Sequence, residues 1–221
     1  MKKTLITLLV IPFLTVFAKA ADLSDAGLVI GVGGSQYVAG ATVTETQDGG
    51  FPASSPVKST DKESGVFADT TGYVFAEVAI DRLAVGLSYN AGSLATPNAT
   101  NNKNGSTNTV QVDIADIVTA YVTLDVVGGF YAKLGLVDGT IETNESINTS
   151  SGASGSIGDQ SLEGTVAGLG YKHTLDTGVQ IRSEALYGSY DDFSVTDANG
   201  DKYDANSMQS LQVNLGLAYV F

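Results

Sequence analysis

Few residues of this chain have the types and spacing that chemistry needs. The only histidine is His173, with Thr174 and Ser183 as nearby hydroxyls. A Ser/His hydrolase needs a nucleophile, a base and a group that orients the base, and no such arrangement can be argued here. His173 reads instead as an interfacial or turn residue. There is no cysteine, which removes thiol catalysis, disulfide scaffolds and cysteine-ligated zinc or iron–sulfur centres. Asp197, Asn199 and Asp201 match the start of a calcium loop, but Lys202 stands where glycine is needed and Met208 where the last glutamate belongs. No catalytic, cofactor or metal site is expected, and the chain reads as a non-enzyme.

Five ionic residues offer electrostatic work instead: Glu77, Lys133, Lys172, Arg182 and Glu184. Each lies on the less apolar face of a segment that alternates with period two. The clearest such segment ends the chain: Leu211, Val213, Leu215, Leu217, Tyr219 and Phe221 alternate with Gln212, Asn214, Gly216 and Ala218. Successive strand side chains point to opposite faces, so one face is oily and the other is not. The same pattern recurs eight times, as in Val179, Ile181, Ala185 and Tyr187 against Gln180, Arg182 and Glu184. The first segment, Leu28, Ile30 and Val32 against Val29, Gly31 and Gly33, is the weakest, and Gly33-Gly34 there is expected to mark a bulge that changes its parity.

The connections alternate in length. Short turns are expected at Asp81-Arg82, Asp125–Gly129 and Leu175–Gly178. Long polar loops are expected at Gln47–Gly65, Thr96–Asn108, Asn144–Gly158 and Thr196–Asp204. This predicts an all-β fold: an eight-stranded antiparallel transmembrane β-barrel, an up-and-down meander with short periplasmic turns and four long extracellular loops. A soluble antiparallel barrel or sandwich would also show hairpins, but it would keep charge on its outer face. Only 16% of the 221 residues are charged, against the ~25–35% usual for a soluble surface. Stretches such as Leu83–Gly92 carry no outward charge at all. With a formal charge of -13 the chain also lacks the basic face that nucleic acid requires.

An eight-stranded barrel is only wide enough for side chains to fill it. At about 2.5 Å of height per residue, Glu77, Lys133, Lys172 and Arg182 share a level above their turns, and Glu184 is slightly higher. The five are expected to form one paired network, because leaving buried charges unpaired is costly. Outward aromatics, Phe130, Tyr171, Tyr219 and Phe221 low and Tyr89 and Tyr187 higher, are expected to form two interfacial girdles.

The N-terminus reads as an export signal. A basic start, Met1-Lys2-Lys3, precedes an apolar run over 5–18, and Ala18-Lys19-Ala20 gives a small-x-small cleavage pattern before Ala21. Residues 1–20 are expected to be removed, and residues 21–221 to form the barrel domain. Removal takes three lysines and shifts the formal charge from -13 to -16.

These residues carry a family resemblance. The chain resembles small eight-stranded outer-membrane barrels of the OmpA/OmpX type. The end of the chain, with Asn214, Gly216, Tyr219 and Phe221, is similar to the C-terminal assembly signal of that class, and the export signal is similar too. The resemblance implies a monomer in the outer membrane of a Gram-negative bacterium, in contact with outer-membrane lipid and lipopolysaccharide. It also implies periplasmic chaperones and the barrel assembly machinery as partners during biogenesis. OmpA-type chains often continue into a peptidoglycan-binding domain, and none follows Phe221, so no cell-wall tether is implied. The function expected is envelope-structural and surface-interacting, with the interior plugged by polar and ionic side chains. The alternative is a low-conductance channel for small solutes or ions.

Overall fold

A computed structural model describes residues 26–46, 60–103, 106–146, 157–196 and 202–221. The export segment with Ala18, Ala20 and Ala21 lies outside the described residues, as does the stretch 197–201 that resembles a calcium loop.

The strands are β1 (Gly27–Thr46), β2 (Thr60–Ile80), β3 (Leu83–Asn90), β4 (Leu94–Ala95), β5 (Ala99–Lys103), β6 (Ser106–Val127), β7 (Phe130–Ser146), β8 (Gln160–Thr174), β9 (Val179–Tyr190), β10 (Phe193–Thr196) and β11 (Lys202–Val220). Every pairing is antiparallel. β3, β4 and β5 follow one another along β6 and make one interrupted wall strand, and β9 and β10 do the same along β11. The sheet is therefore a ring of eight strands, closed where β11 returns to β1 from Val29↔Val220 to Thr46↔Lys202. Closure leaves no unpaired edge in the lower wall, which is what lets strands span a bilayer.

The alternation read from the sequence sets which side chains face the lumen. Leu211, Val213, Leu215 and Leu217 are exposed on the outside, while Ser210, Asn214 and Ala218 are buried inside. The expected parity change at Gly33-Gly34 does not occur. The β1–β2 ladder runs unbroken from Gly27↔Ala79 to Thr46↔Thr60, so Val29, Ser35, Tyr37 and Ala39 all face inward. Gly33 is there for close packing instead: a β-carbon on it would run into the ring of Tyr73. The irregularity of β1 lies higher, between Gly40 and Thr42, opposite Ser207 with its φ of 55°.

Asp81-Arg82 and Leu175–Gly178 connect strands where the sequence places them, while the connection expected at Asp125–Gly129 shrinks to Gly128-Gly129 because β6 runs to Val127. Gly128 and Gly129 both take positive φ, 59° and 88°, the geometry of a type I′ hairpin. Arg82 ties two of the turns together by donating from Nε and Nη2 to the Asp125 carbonyl at 2.9 and 2.6 Å.

The long loops are shorter than expected, because backbone pairing continues into polar sequence. Thr60–Gly65 pairs with β1, Lys103 pairs with Ser106, and Lys202–Asp204 pairs with β1 and β10. Strands of 19–22 residues exceed the ~9–11 that cross a bilayer, so the wall rises beyond it. In that upper wall the ring parts into two sheets. Above Tyr73↔Asn90, β2 pairs with β1 alone, and above Gly164↔Tyr190, β8 pairs with β7 alone. Asp69 bridges the first seam by accepting from the Ala95 amide at 2.8 Å.

Candidate functional site: an ionic layer in the lumen

The lower lumen holds two ion pairs side by side. Arg182 donates from Nη2 to Glu77 Oε1 at 2.9 Å and from Nη1 to Glu77 Oε2 at 3.1 Å, the two-pronged match of guanidinium to carboxylate. Lys133 Nζ reaches both oxygens of Glu184 at 3.0 and 3.1 Å. Tyrosines and an asparagine complete the carboxylates. Tyr121 donates to Glu77 at 3.1 Å, Tyr131 to Glu184 at 2.7 Å, and the Asn214 amide to Glu184 at 2.8 Å. Lys133 lies over the Tyr121 ring, 4.0 Å from its centroid, and Arg182 stands 4.6 Å from the Phe75 ring and 5.4 Å from that of Tyr131. All four charged groups are buried, each meets its opposite charge, and the two carboxylates accept further hydrogen bonds, which offsets desolvation.

The strands place these groups by register. Glu77 faces Gly86 across β2–β3, and Gly86 faces Tyr121 across β3–β6. Tyr131 faces Gly170, Glu184 faces Asn214, and Arg182 faces Gly216. Large inward side chains thus sit beside glycines or small polar groups, which is how a narrow barrel accommodates them.

Four of the five expected network members, Glu77, Lys133, Arg182 and Glu184, come together. Lys172 does not. Its Nζ pairs with Asp125 Oδ1 at 2.7 Å near the periplasmic mouth, where both groups are partly exposed. The physical reason is that β6 runs on to Val127, so Asp125 is the next inward residue after Thr123 rather than part of the turn. Lys172 also sits at the level of that turn, since its amide donates to the Gly129 carbonyl. Tyr121, Tyr131 and Asn214 were legible as inward residues, but not as partners of the charges. Asn214 and Gly216, expected as part of an assembly signal, face the lumen, while Tyr219 and Phe221 stack outside with centroids 4.8 Å apart. His173 is exposed on the outer face opposite Ile181. Met208, at the last position of the calcium-like stretch, packs in an apolar interior cluster.

Above the ion pairs a small polar cavity, with room for about one water, is lined by Tyr73, Ser88, Asn90, Thr119, Gln212 and Asn214 among others. Higher still the lumen turns apolar. Tyr37, Leu94, Ile117, Val137 and Val166 form one buried cluster, and Ile141, Leu162, Ala205 and Met208 form another.

The exterior has the opposite chemistry to a soluble surface. Ile30, Val32, Leu134, Leu169, Val213, Leu215 and Leu217 are large, apolar and at least 48% exposed. Outward rings flank this band: Phe130 against Tyr171 with centroids 5.1 Å apart, Tyr219 against Phe221, and Tyr89 and Tyr187 higher up. Such a band is stable against lipid and would aggregate in water. A closed eight-stranded ring with an apolar belt, short turns at one end and an ionic lower lumen defines an outer-membrane β-barrel protein.

One solved structure supports the fold. The chain is similar to the outer membrane protein OprG from Pseudomonas aeruginosa, at 14% identity over 89% of this chain and 96% of that one, with a TM-score of 0.56. It also aligns with Neisserial surface protein A, at 14% identity, 85% and 97% coverage and a TM-score of 0.39. A third alignment is with Ail, the attachment invasion locus protein of Yersinia pestis, at 13% identity, 86% and 99% coverage and a TM-score of 0.39. No family model and no curated protein sequence matches the chain.

Proposed function

We propose that this barrel has an envelope-structural and surface-interaction role, with its lumen closed to solutes. One observation carries the reading: side chains fill the lumen at successive levels, the pairs Arg182–Glu77 and Lys133–Glu184 with Tyr121, Tyr131 and Asn214 below, and the buried cluster of Tyr37, Leu94, Ile117, Val137 and Val166 above. The work of the protein then falls to its exterior. The apolar belt contacts outer-membrane lipid, and the raised polar walls present acidic residues beyond it to lipopolysaccharide and to surfaces outside the cell. The barrel acts as a monomer, and its C-terminal Tyr219 and Phe221 serve recognition by the assembly machinery.

The test is conductance of the refolded protein in planar bilayers, with heat-modified gel migration confirming a closed barrel. Silence is expected. Stable single-channel steps in the unaltered protein would sink this reading in favour of a low-conductance channel. Shortening residues 47–59 and 147–156 should alter cell-surface binding while leaving the gel shift intact.

A further inference from the structure

The lumen has two layers of different chemistry, and only one is suited to stop ions. In the lower layer, among the described residues, Tyr73 Oη, Thr123 Oγ1, Gln180 Oε1 and Arg182 Nε are buried without a hydrogen-bond partner. Buried polar groups of this kind ordinarily bind water. Tyr73 borders the small polar cavity, together with the hydroxyls of Ser88 and Thr119. The ionic layer therefore offers a small ion unpartnered polar groups, opposite charge and a cavity with room for about one water.

The layer above offers no charged group, and of its five core residues only Val166 borders that cavity. Tyr37, Leu94, Ile117, Val137 and Val166 are all 2–5% exposed and come from β1, β4, β6, β7 and β8. Phe67 of β2 and Tyr190 of β9 pack against them. Seven of the eight wall strands thus contribute to one apolar disc across the lumen. Its polar contacts sit at the margins: Asn90 donates to the Tyr37 hydroxyl at 3.2 Å, and the Tyr190 and Ser210 hydroxyls share a hydrogen bond of 2.9 Å. An apolar constriction excludes ions because they would have to shed water with nothing to replace it.

We infer that the permeability barrier of this barrel is the apolar disc of Tyr37, Leu94, Ile117, Val137 and Val166, and that the ion pairs beneath it are a hydrated structural layer. The inference rests on the reading that the unaltered barrel is closed.

Two sets of variants separate the layers in planar bilayers, each first checked for the folded gel shift. Val137→Thr with Val166→Thr adds two hydroxyls to the disc at nearly constant volume, and Leu94→Ser opens it further. Glu77→Gln with Arg182→Gln uncharges one of the two ion pairs in the layer below. The disc variants should conduct at least about tenfold above the unaltered protein, equivalent to roughly 1.4 kcal/mol off the barrier. The uncharged pair should stay silent. Folded disc variants that remain silent overturn the inference, as does opening by the uncharged pair alone or by both sets equally. Conduction by the unaltered protein overturns the closed-lumen reading as well, so the two failures are distinguishable.

Discussion

Gly170 lies directly across the β7–β8 ladder from Tyr131, and the tyrosine ring passes over the glycine α-carbon where a β-carbon would stand. That ring then donates its hydroxyl to Glu184 at 2.7 Å and flanks Arg182. Gly86 and Tyr121 repeat the arrangement on β3 and β6, where the tyrosine donates to Glu77. The two carboxylates of the ionic layer are each held by a tyrosine that only a glycine leaves room for.

Gly170→Ala should therefore act on the hydrogen bond that joins its two neighbouring strands, from Tyr131 of β7 to Glu184 of β9. The added methyl displaces Tyr131, at a cost of about 1–3 kcal/mol from overpacking. Urea unfolding in lipid, followed by the loss of the heat-modified gel band, measures it. Gly65→Ala is the control, because nothing lies within 4 Å of a β-carbon there. Equal effects at the two sites would refute the ring-seat explanation.

Arg182→Met should destabilise by about 3–5 kcal/mol, because it leaves the Glu77 carboxylate buried beside an apolar chain. The double variant Glu77→Gln/Arg182→Met should recover much of that loss. A double-mutant cycle on unfolding free energies checks it, and additive losses would show that the pair is not coupled. The Lys172–Asp125 pair, partly exposed at the mouth, should contribute no more than about 1 kcal/mol and should weaken with salt.

How much of this was legible in the sequence follows from which property sets each feature. The period-two alternation placed Glu77, Lys133, Arg182 and Glu184 on inward faces, because side-chain direction in a strand depends only on parity. Their common level followed from counting residues from the turns. Lys172 departs from the expected network because β6 runs three residues beyond Leu124, to Val127, which turns Asp125 from a turn residue into an inward partner. The Gly33-Gly34 pair was read as a bulge because a double glycine carries that signal locally, whereas its role depends on Tyr73 two strands' worth of sequence away. The apolar disc was not legible. Leu94 lies in a two-residue strand without alternation of its own, and Ile117 follows a bulge at Asp116, φ 53°, which breaks the count. Polar strand extensions such as Thr60–Gly65 read as loop because their pairing is backbone to backbone and leaves no apolar pattern.

Acid should loosen the β10–β11 junction above the lipid band. The Asp204 carboxyl is held below the ordinary aspartate value by hydrogen bonds from Lys202 and Ser194. A depressed folded value means that the contribution is present above the unfolded aspartate value and is lost as pH falls through the folded one. Amide exchange in Phe193–Thr196 should therefore be slow at neutral pH and speed up on acidification, beyond the intrinsic effect of pH on exchange. Asp204→Asn should remove that extra pH dependence, and an unchanged profile in the variant would assign it elsewhere.

The last prediction addresses the belt itself. Leu215 points outward with 66% exposure and lies six residues from Phe221, about 15 Å above the periplasmic end and near the middle of a belt roughly 25 Å tall. In lipid, Leu215→Arg should cost about 2–4 kcal/mol, because the guanidinium replaces a leucine at the bilayer midplane. Val66, 76% exposed on β2 and fourteen residues from the end of that strand at Ile80, stands above the belt. Val66→Arg should cost almost nothing, since its surroundings are water and headgroups. Unfolding free energies of both variants in bilayers of matched thickness compare them directly. A soluble barrel would tolerate either arginine equally, because both sites would face water. A large loss at Leu215 with none at Val66 is therefore the signature of strands that cross a membrane.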